Sequence, residues 1–263
     1  MDENKRIELK DIQKLSLAIL LDIDEFCRKH DIQYFLACGT LLGAVRHQGF
    51  IPWDDDVDIM MPRSDYQRFL ESYKSDKYQL LKPSAGRYYY AKVYDPKTIK
   101  YEDNIDYHKY KPLGIDVDVF PLDGIINDDE VINKLYQKEC FLEMLLRLSN
   151  QPIFYRKNPL KAINRLIPRV IGSRNLVKMI ERNAMTYDYD TSDYVIRMRR
   201  STNGFTGALP KSVYEEAELS FEGHLLKVPK GYDIWLTRFF GDYMTLPPEE
   251  KRVTHPIRCY YRD

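Results

Sequence analysis

The spacing of apolar side chains predicts a long amphipathic helix followed by alternating strands and short helices. Over residues 7–30, apolar residues recur at steps of three and four, which places them on one face of a helix. These residues are Leu9, Ile12, Leu15, Ile19, Ile23 and Phe26. Shorter apolar runs further along the chain predict strands. They cover residues 34–38, 59–61, 78–81, 88–94 and 115–120.

The second half of the chain has longer helical patterns. Apolar residues at helical spacing predict a helix over residues 128–150, which has an acidic first turn, and another over residues 232–240. A tight hairpin is predicted over residues 221–229 and a further strand over residues 192–200. The tail from Arg252 onward is expected to be mobile.

These elements predict an α/β (α+β) fold with two parts. Residues 1–125 would form a catalytic core built on a mixed sheet flanked by helices. Residues 126–263 would form a mainly helical part that packs on the core and completes the substrate cleft.

Composition indicates an ordinary soluble protein with a sizeable core. Hydrophobic residues make up 44% and charged residues 30% of 263 residues, and the net charge is +0, so we expect no nucleic-acid partner. The four cysteines form no C-x-x-C pair, which indicates neither a zinc site nor a disulfide framework. The charged N-terminal residues contain no signal-peptide core, and no apolar run is long enough to span a bilayer. We therefore expect a cytoplasmic protein.

A glycine-rich, acidic stretch, residues 39–58, carries the candidate chemistry. Asp54, Asp56 and Asp58 alternate with other residues, so an extended backbone would place their carboxylates on one face. Such carboxylates suit Mg²⁺, which takes its remaining ligands from water and phosphate. Gly39 follows an apolar run and would let backbone N–H groups approach a phosphate closely. Together these features predict phosphoryl or nucleotidyl transfer.

Two other interpretations of these acids are weaker. An EF-hand calcium loop needs glycine at its sixth position and glutamate at its twelfth, but counting from Asp54 those positions hold Ile59 and Asp65. An acidic surface turn would explain Asp54 and Asp55, but not the strand-like apolar residues around Asp58. The pattern therefore favours a metal site.

The stretch resembles the motif of the LicD family, bacterial transferases related to the fukutin-type proteins. Its sequence, GTLLGAVRHQGFIPWDDDVD, fits that motif without a gap from Gly39 to Asp58. Three later segments are similar to further elements of the family, and they cover residues 114–124, 221–229 and 240–248. The resemblance implies a nucleotidyltransferase-like fold.

The resemblance also implies the metal ligands and catalytic residues. Asp56 and Asp58 would bind Mg²⁺, or Mn²⁺ in its place, and a later strand would supply a third carboxylate. Asp116 and Asp118 share one face of the predicted strand over residues 115–120, so the sequence does not distinguish which of them is the third carboxylate. We choose Asp118 and keep Asp116 in reserve.

Five further residues are expected to bind the donor, namely Gly39, Thr40, Arg46, Trp53 and Lys92. Gly39 and Thr40 would hold donor phosphate beside the N-terminus of a short helix over residues 41–45. Arg46 either contacts donor phosphate or pairs with one of the nearby acids. Lys92 lies on an otherwise apolar strand, so it points either to solvent or to phosphate in the cleft. The resemblance favours phosphate for Lys92.

The reaction implied by the resemblance is transfer of a phospho-alcohol group from a CDP-linked donor to a hydroxyl of a cell-surface glycan. The best-known donor of the family is CDP-choline, and the acceptor would be a lipid-linked precursor of teichoic acid, capsule or lipopolysaccharide. Choline's quaternary ammonium favours a surround of aromatic rings, although aromatic residues of strands more often pack in a core. The candidate rings are Trp53, Tyr88, Tyr89, Tyr90, Tyr101 and Tyr107.

Three alternatives stay open. CDP-ribitol or CDP-glycerol would make the protein an alditol-phosphate transferase. A nucleotidyltransferase would use the same carboxylates but leave a nucleoside monophosphate on its target. A non-catalytic nucleotide-binding module is disfavoured by the full carboxylate set, because buried acids without a metal are destabilising.

Residues 156–182 are strongly basic, with apolar residues among the charges. They form a basic helical surface, or they bind either the anionic inner face of a membrane or an anionic glycan acceptor. Pro159, Pro168 and Gly172 exclude one unbroken helix.

Overall fold

The computed structural model describes residues 6–103, 105–152, 166–197 and 207–262. Its main α-helices are α1 Leu9–Lys29, α2 Cys38–His47, α3 Arg63–Ser72, α4 Asp129–Asn150, α5 Ser173–Ala184 and α6 Tyr232–Phe240. Its strands are β1 Phe35–Leu36, β2 Asp58–Pro62, β3 Gln79–Leu81, β4 Ala91–Tyr94, β5 Thr98–Glu102, β6 Asp116–Ile125, β7 Tyr194–Ile196, β8 Leu209–Pro210, β9 Glu216–Phe221, β10 His224–Pro229 and β11 Ile257–Tyr261. This mixture confirms the predicted α/β (α+β) class.

The helices form where the apolar periodicity predicts them. Helix α1 buries Ile12, Ile19 and Ile23 on one face, in agreement with the pattern of the sequence. Helix α4 begins after Asp128, whose carboxylate accepts hydrogen bonds from the N–H groups of the next turn. Helix α6 has the predicted bounds, and Trp235 lies fully buried on its inner face.

A mixed sheet forms the centre of the molecule. Its strands follow the order β1-β2-β6-β4-β3, and β7 and β8 extend it from the far end of β6. Strands β2 and β6 are parallel, whereas the other pairs in this sheet are antiparallel. Parallel strands require a long crossover connection, and α3 with β3 to β5 supplies it. The first residues of β2 and β6, Asp58 and Asp116, therefore lie at the same end of these two neighbouring strands.

Both predicted parts of the chain contribute to one hydrophobic core. The main buried cluster runs from Ile7 to Cys259 and includes residues of α1, the sheet, the β9–β10 pair and α6. A smaller cluster, formed by Leu142, Leu146, Leu176, Val177 and Ile180, joins α4 to α5. The C-terminal part contains β7 to β11 as well as its helices, and its end pairs with the core.

The C-terminal tail is ordered, and the expectation that it is mobile was wrong. Strand β11 pairs antiparallel with β5, and Ile7 donates a backbone hydrogen bond to Cys259 in the middle of β11 (2.9 Å). At the start of Ile257–Tyr261, Ile257 and Cys259 flank the polar Arg258, and Cys259 is buried. This period-two pattern is typical of a half-buried strand. Pairing of this strand places the residues just before it, including His255, next to the acidic stretch of residues 54–58.

The predicted hairpin is confirmed. Strands β9 and β10 pair antiparallel around a two-residue turn, Glu222–Gly223. Both turn residues have positive φ, 50° for Glu222 and 81° for Gly223, which is the backbone of a type I′ turn. The strand predicted over residues 192–200 is shorter, since β7 covers Tyr194–Ile196 and residues 198–200 lie outside the described residues.

Candidate active site

Asp58 is fixed at the start of β2 by backbone hydrogen bonds. Its N–H donates to the hydroxyl of Thr40 (2.9 Å), and its carbonyl accepts from the N–H of Ala37 (2.9 Å). The N–H of Asp118 donates to the carbonyl of Val57 (2.8 Å), which ties β6 to the same point. The buried hydroxyl of Thr40 thus positions Asp58, and its contact with donor phosphate stays a prediction.

Three charged residues lie side by side across the centre of the sheet. Asp58 is in register with Asp118, and Asp118 is in register with Lys92 on its other side. Paired residues of neighbouring strands point to the same face, so these side chains converge. The ammonium of Lys92 donates to Asp118 and lies 3.3 Å from Asp116. Its side chain is only 3% exposed, so Lys92 does not point to solvent but binds two carboxylates.

The same contacts distinguish the two candidates for the third carboxylate. Although burial opposes its ionisation, Lys100 and Lys92 lower the pKa of Asp116. Burial, together with the charges of Asp116 and Asp58, raises the pKa of Asp118 to about 6 despite the nearby Lys92. Asp116 therefore pairs with both lysines, whereas Asp118 pairs with Lys92 and faces Asp58 across the parallel pair. This geometry favours Asp118 as the third ligand.

Strand β2 begins at Asp58, so Asp54, Asp55 and Asp56 lie on the loop that precedes it. One potential ligand atom from each of Asp54, Asp56 and His255 lies within 4.8 Å of the others. Burial and the charge of Asp54 raise the pKa of Asp56 to about 7, and burial also raises the pKa of Asp54. The side-chain amide of Gln13 donates to the carbonyl of Asp54 (2.8 Å), so α1 holds the loop in place.

His255 is a site residue that the sequence pattern did not identify. Its Nδ1 lies 2.7 Å from Oδ1 of Asp55, and its side chain is 59% exposed. The hydrogen bond to Asp55 raises the pKa of His255 to about 9, with further help from the charge of Asp56 and against the effect of burial. The alternation at the start of Ile257–Tyr261 could have predicted the strand that brings His255 here.

Gly39 and Thr40 lie in the first turn of α2, not in a turn before it. Helix α2 begins at Cys38, so β1 is shorter than predicted. A Cβ on Gly39 would lie 2.4 Å from Oδ2 of Asp54, and the glycine therefore lets this carboxylate approach the helix closely. The N-terminal turn of α2 lines the same cleft as Asp54, which agrees with the predicted position of this helix end.

Arg46 connects α2 to the C-terminal part of the chain. Its Nη1 donates to the carbonyl of Tyr243 (2.8 Å), and its Nε donates to Nε2 of His47 (3.0 Å). Burial lowers the pKa of Arg46. These contacts differ from the predicted pairing with an acid of the stretch, and contact with donor phosphate stays a prediction.

Two clefts meet at Asp56 and His255, which line both. The first, of about 350 Å³, joins acids of the stretch to an aromatic wall. Its aromatic residues are Trp53, Trp235, Phe239 and Phe240. The second, of about 260 Å³, joins acids to the lysines of the sheet. Its charged residues are Asp55, Asp56, Lys92, Lys100, Glu102, Asp103, Asp116, Asp118 and His255.

Arg197 also lines the first cleft and was not identified from the sequence. Its guanidinium lies over the ring of Phe120, 4.8 Å from the centroid. Its Nε and Nη1 atoms are buried and have no hydrogen-bond partner among the residues that the structure describes. Buried polar groups are normally paired, so these N–H groups can donate hydrogen bonds to an anionic ligand.

Comparison with known proteins identifies the family. The model described as "LicD/FKTN/FKRP, nucleotidyltransferase domain" matches residues 31–156. The chain is 30% identical to the lipopolysaccharide cholinephosphotransferase LicD of Haemophilus influenzae, over 98% of this chain and 99% of that protein. The chain belongs to the LicD family. It is also 31% identical to an uncharacterised protein of Rickettsia typhi, over 62% of this chain and 49% of that protein.

The LicD-family motif is completed by the hairpin of the C-terminal part. The carboxylate of Glu222 accepts from the N–H of Phe50 (3.0 Å), and the N–H of Glu222 donates to the carbonyl of Gln48 (2.9 Å). A Cβ on Gly49 would lie 2.1 Å from the same carboxylate. Two segments that match the family motif, residues 221–223 and 47–50, therefore contact each other. This contact supports the loop that leads to the acids.

Most of the tyrosines that were candidates for binding choline contact other side chains in this LicD-family chain. The ammonium of Lys92 lies 4.7 Å from the ring centroid of Tyr88 and 5.4 Å from that of Tyr90, so these two rings already contact a cation. Tyr101 and Tyr107 pack edge to face against each other. Trp53 remains in the cleft, with Arg252 over its ring at 5.4 Å.

The basic segment is described only in part, because residues 153–165 lie outside the described residues. Leu166, Ile167 and Val170 are exposed, by 51%, 67% and 87%. Arg169 is used internally, since it donates to the carbonyl of Gln151 (2.6 Å) and pairs with an aspartate. No helix in the described part of the chain is long and apolar enough to cross a bilayer.

Proposed function

We propose that this LicD-family protein transfers phosphocholine from CDP-choline to a hydroxyl of a lipid-linked cell-surface saccharide. One observation carries the proposal: Asp58 and Asp118 lie in register, and the cleft that contains Asp58 and Asp56 also contains an aromatic wall. The similarity to a lipopolysaccharide cholinephosphotransferase over nearly the full chain supports the same reaction. A lipopolysaccharide precursor is accordingly the preferred acceptor, ahead of teichoic acid or capsule.

The residues at the centre of the site fit Mg²⁺, with Mn²⁺ as the alternative. Asp56, Asp58 and Asp118 offer oxygen ligands, which Mg²⁺ prefers. The pKa values of Asp56 and Asp118 are raised by burial and by neighbouring acids, so a cation would relieve an excess of negative charge. When bound there, Mg²⁺ would neutralise charge on the pyrophosphate of the donor.

The aromatic wall and the guanidinium of Arg197 suit the two ends of the donor. Phe239 and Phe240 present rings to the cleft in which Asp54 lies, and a quaternary ammonium interacts favourably with aromatic rings and with carboxylates. Trp53 also lines this cleft, with Arg252 over its ring, so its predicted contact with the donor would require Arg252 to move. Arg197 would contact the donor phosphates, because its buried N–H groups need acceptors. The phosphate contact of Lys92 stays a prediction, because Lys92 lines the second cleft but also binds Asp116 and Asp118.

The transfer itself exchanges one phosphorus–oxygen bond for another. The acceptor hydroxyl oxygen bonds to the phosphorus that carries choline, the bond from this phosphorus to the bridging oxygen breaks, and CMP leaves. The hydroxyl proton passes to a carboxylate of the site, and Asp118 either accepts it or completes the metal site.

A donor screen tests this function. Thermal stability and donor hydrolysis are measured with Mg²⁺ and CDP-choline, CDP-glycerol, CDP-ribitol or CTP. The proteins compared are the wild type, Asp58→Asn, and Asp76→Asn as a matched control at an exposed acid outside both clefts. We expect CDP-choline to stabilise the wild type and the control, and to be turned over by both, whereas Asp58→Asn loses turnover.

Each other outcome of the screen has a distinct meaning. Preference for CDP-ribitol or CDP-glycerol would keep the mechanism and replace the transferred group. Response to CTP alone would favour a nucleotidyltransferase. Binding without turnover would favour the nucleotide-binding module, and no response at all would contradict the transferase.

We also propose a peripheral contact with the inner face of a membrane. Arg174, Lys178 and Arg182 are exposed at helical spacing on α5. They follow the exposed apolar residues Leu166, Ile167 and Val170, and this combination suits an anionic bilayer surface. Salt-sensitive sedimentation with anionic but not neutral vesicles would support the contact. Equal binding to both kinds of vesicle, or none, would contradict it.

A further inference from the structure

The loop and the tail bring together ligands of a kind that the sheet does not offer. Potential ligand atoms of Asp54, Asp56 and His255 lie within 4.8 Å of one another, a spacing that one cation can bridge. Asp56 interacts electrostatically with both Asp54 and Asp118, so it stands between this group and the acids of the sheet. His255 lies at the boundary of both clefts and is exposed, which gives an ion a path from solvent.

A buried carboxylate outside this group fixes the imidazole. The side chain of Asp55 is 1% exposed, and its Oδ1 lies 2.7 Å from Nδ1 of His255. The ring N–H donates a hydrogen bond between an imidazole and a carboxylate, so Nδ1 carries a proton, and a cation would take the place of the proton on Nε2. Histidines that bind metals usually donate their other N–H to a carboxylate in this way. The second oxygen of Asp55 is buried and has no hydrogen-bond partner among the described residues, although the residue lines the cleft with His255.

The backbone around these ligands is held from several directions. Gln13 of α1 donates to the carbonyl of Asp54, and the N–H of Asp54 donates to the carbonyl of Ile51 (2.8 and 2.9 Å). Strand β11 pairs with β5 directly after His255, which fixes the position of the tail. The group is therefore built by ordered backbone and is not an accidental meeting of flexible side chains.

We propose that Asp54, Asp56 and His255 form a second cation site, oriented by Asp55, which binds Mn²⁺ or Zn²⁺ in preference to Mg²⁺. Imidazole nitrogen is a good ligand for transition metals, whereas Mg²⁺ demands oxygen. Asp56 is shared with the oxygen-only site of Asp58 and Asp118. The inference concerns cation binding alone, so it stands or fails independently of the group that the enzyme transfers.

Mn²⁺ is the probe that tests this site, because its binding and its ligands are both visible by electron paramagnetic resonance. Titration of the full chain is expected to show two Mn²⁺ sites. His255→Ala should weaken one of them by roughly 10–100-fold, and Asp55→Asn should weaken the same site less. Asp118→Asn should weaken the other, and excess Mg²⁺ should displace Mn²⁺ more readily from that one. His224→Ala, at an exposed histidine of the hairpin, is the matched control and should leave both sites unchanged.

A second readout does not depend on any variant. Electron spin echo modulation of Mn²⁺ bound to the wild type should show coupling to an imidazole ¹⁴N, which His255→Ala removes. Absence of this coupling when Mn²⁺ is bound, or one Mn²⁺ site that Asp118→Asn abolishes and His255→Ala does not change, would overturn the proposal. A wild type that shows the ¹⁴N coupling but does not turn over the donor would instead count against the proposed function, and the second cation site would still stand.

Discussion

The site consists of two acidic regions that are built in different ways. In the sheet, Asp58, Asp116 and Asp118 are positioned by strand register and are accompanied by two buried lysines, Lys92 and Lys100. In the loop, three consecutive acids, Asp54 to Asp56, meet a single histidine that arrives from the other end of the chain. The comparison teaches that buried lysines neutralise most of the acids of the sheet, whereas the loop has a larger excess of acid, and bound cations can neutralise what remains in both.

The largest effect is expected from removing a lysine of the sheet. Lys92→Met leaves Asp116 and Asp118 buried with less compensation, which should lower the free energy of unfolding by roughly 3–5 kcal/mol. Chemical denaturation at neutral pH measures it, and Lys77→Met, at an exposed lysine, is the matched control. Equal stability of the two variants would show that the sheet does not need its lysines.

A buried acid outside both regions tests the behaviour of a carboxylate whose hydrogen bond comes from a neutral amide. Burial raises the pKa of Glu139 to about 8 from an ordinary 4.5, and its hydrogen-bond donor is the neutral amide of Asn183. The folded state binds the proton more tightly, so stability should fall as pH rises between these pKa values, by at most ~1.4 kcal/mol per pH unit.

Glu139→Gln should remove the part of this decline that Glu139 contributes, and the groups of the site with raised pKa values contribute the rest. Denaturation of the wild type and the variant at about pH 5 and about pH 8 measures the difference. Glu130→Gln, at an exposed acid of the same helix, should behave as the wild type does. A wild type whose stability is unchanged or rises over this range would contradict the assignment.

A smaller effect is expected at the joint between α2 and β2. Thr40→Val removes the acceptor of the Asp58 N–H and leaves this buried donor unpaired, at a cost of about 1–3 kcal/mol. Thr40→Ser keeps the hydroxyl and should retain most of the stability. The same denaturation experiment compares the two, and equal losses would assign the effect to packing of the methyl group.

The smallest effect on stability is expected at Gly39. The Cβ of Gly39→Ala would meet only the tip of the Asp54 side chain, so the free energy of unfolding should change by less than about 1 kcal/mol. Displacement of Asp54 should nevertheless weaken Mn²⁺ binding at the loop site by roughly tenfold and spare the site of the sheet. Gly223→Ala, remote from both regions, should change neither Mn²⁺ site, although the positive φ of Gly223 makes alanine strained there. Loss of both sites in Gly39→Ala would join the two regions into one.

The sequence predicts most of the helices and strands, but only those features of the two acidic regions that depend on neighbouring residues. Apolar periodicity locates α1, α4 and α6, and the positive-φ turn at Glu222–Gly223 follows from a local hairpin pattern. The local motif also indicates Asp56 and Asp58. Each of these inferences depends on residues that are near each other along the chain.

The remaining features depend on pairing between distant segments. The preference for Asp118 over Asp116 requires the register of β6 with β2 and β4, and Lys92 is recognisable as an internal cation only from that register. His255 meets Asp55 across 200 residues, and Arg197 meets the cleft through β7. No periodicity along the chain records such contacts.

The most direct test of the central claim is the mass of the product. A lipid-linked saccharide acceptor is incubated with CDP-choline, Mg²⁺ and either the wild type or Asp58→Asn, and acceptor and nucleotide are analysed by mass spectrometry. We predict that the wild type adds one phosphocholine to the acceptor and releases CMP in equal amount, and that Asp58→Asn does neither. Acceptor that carries CMP, with phosphocholine released, would contradict the account and identify a nucleotidyltransferase.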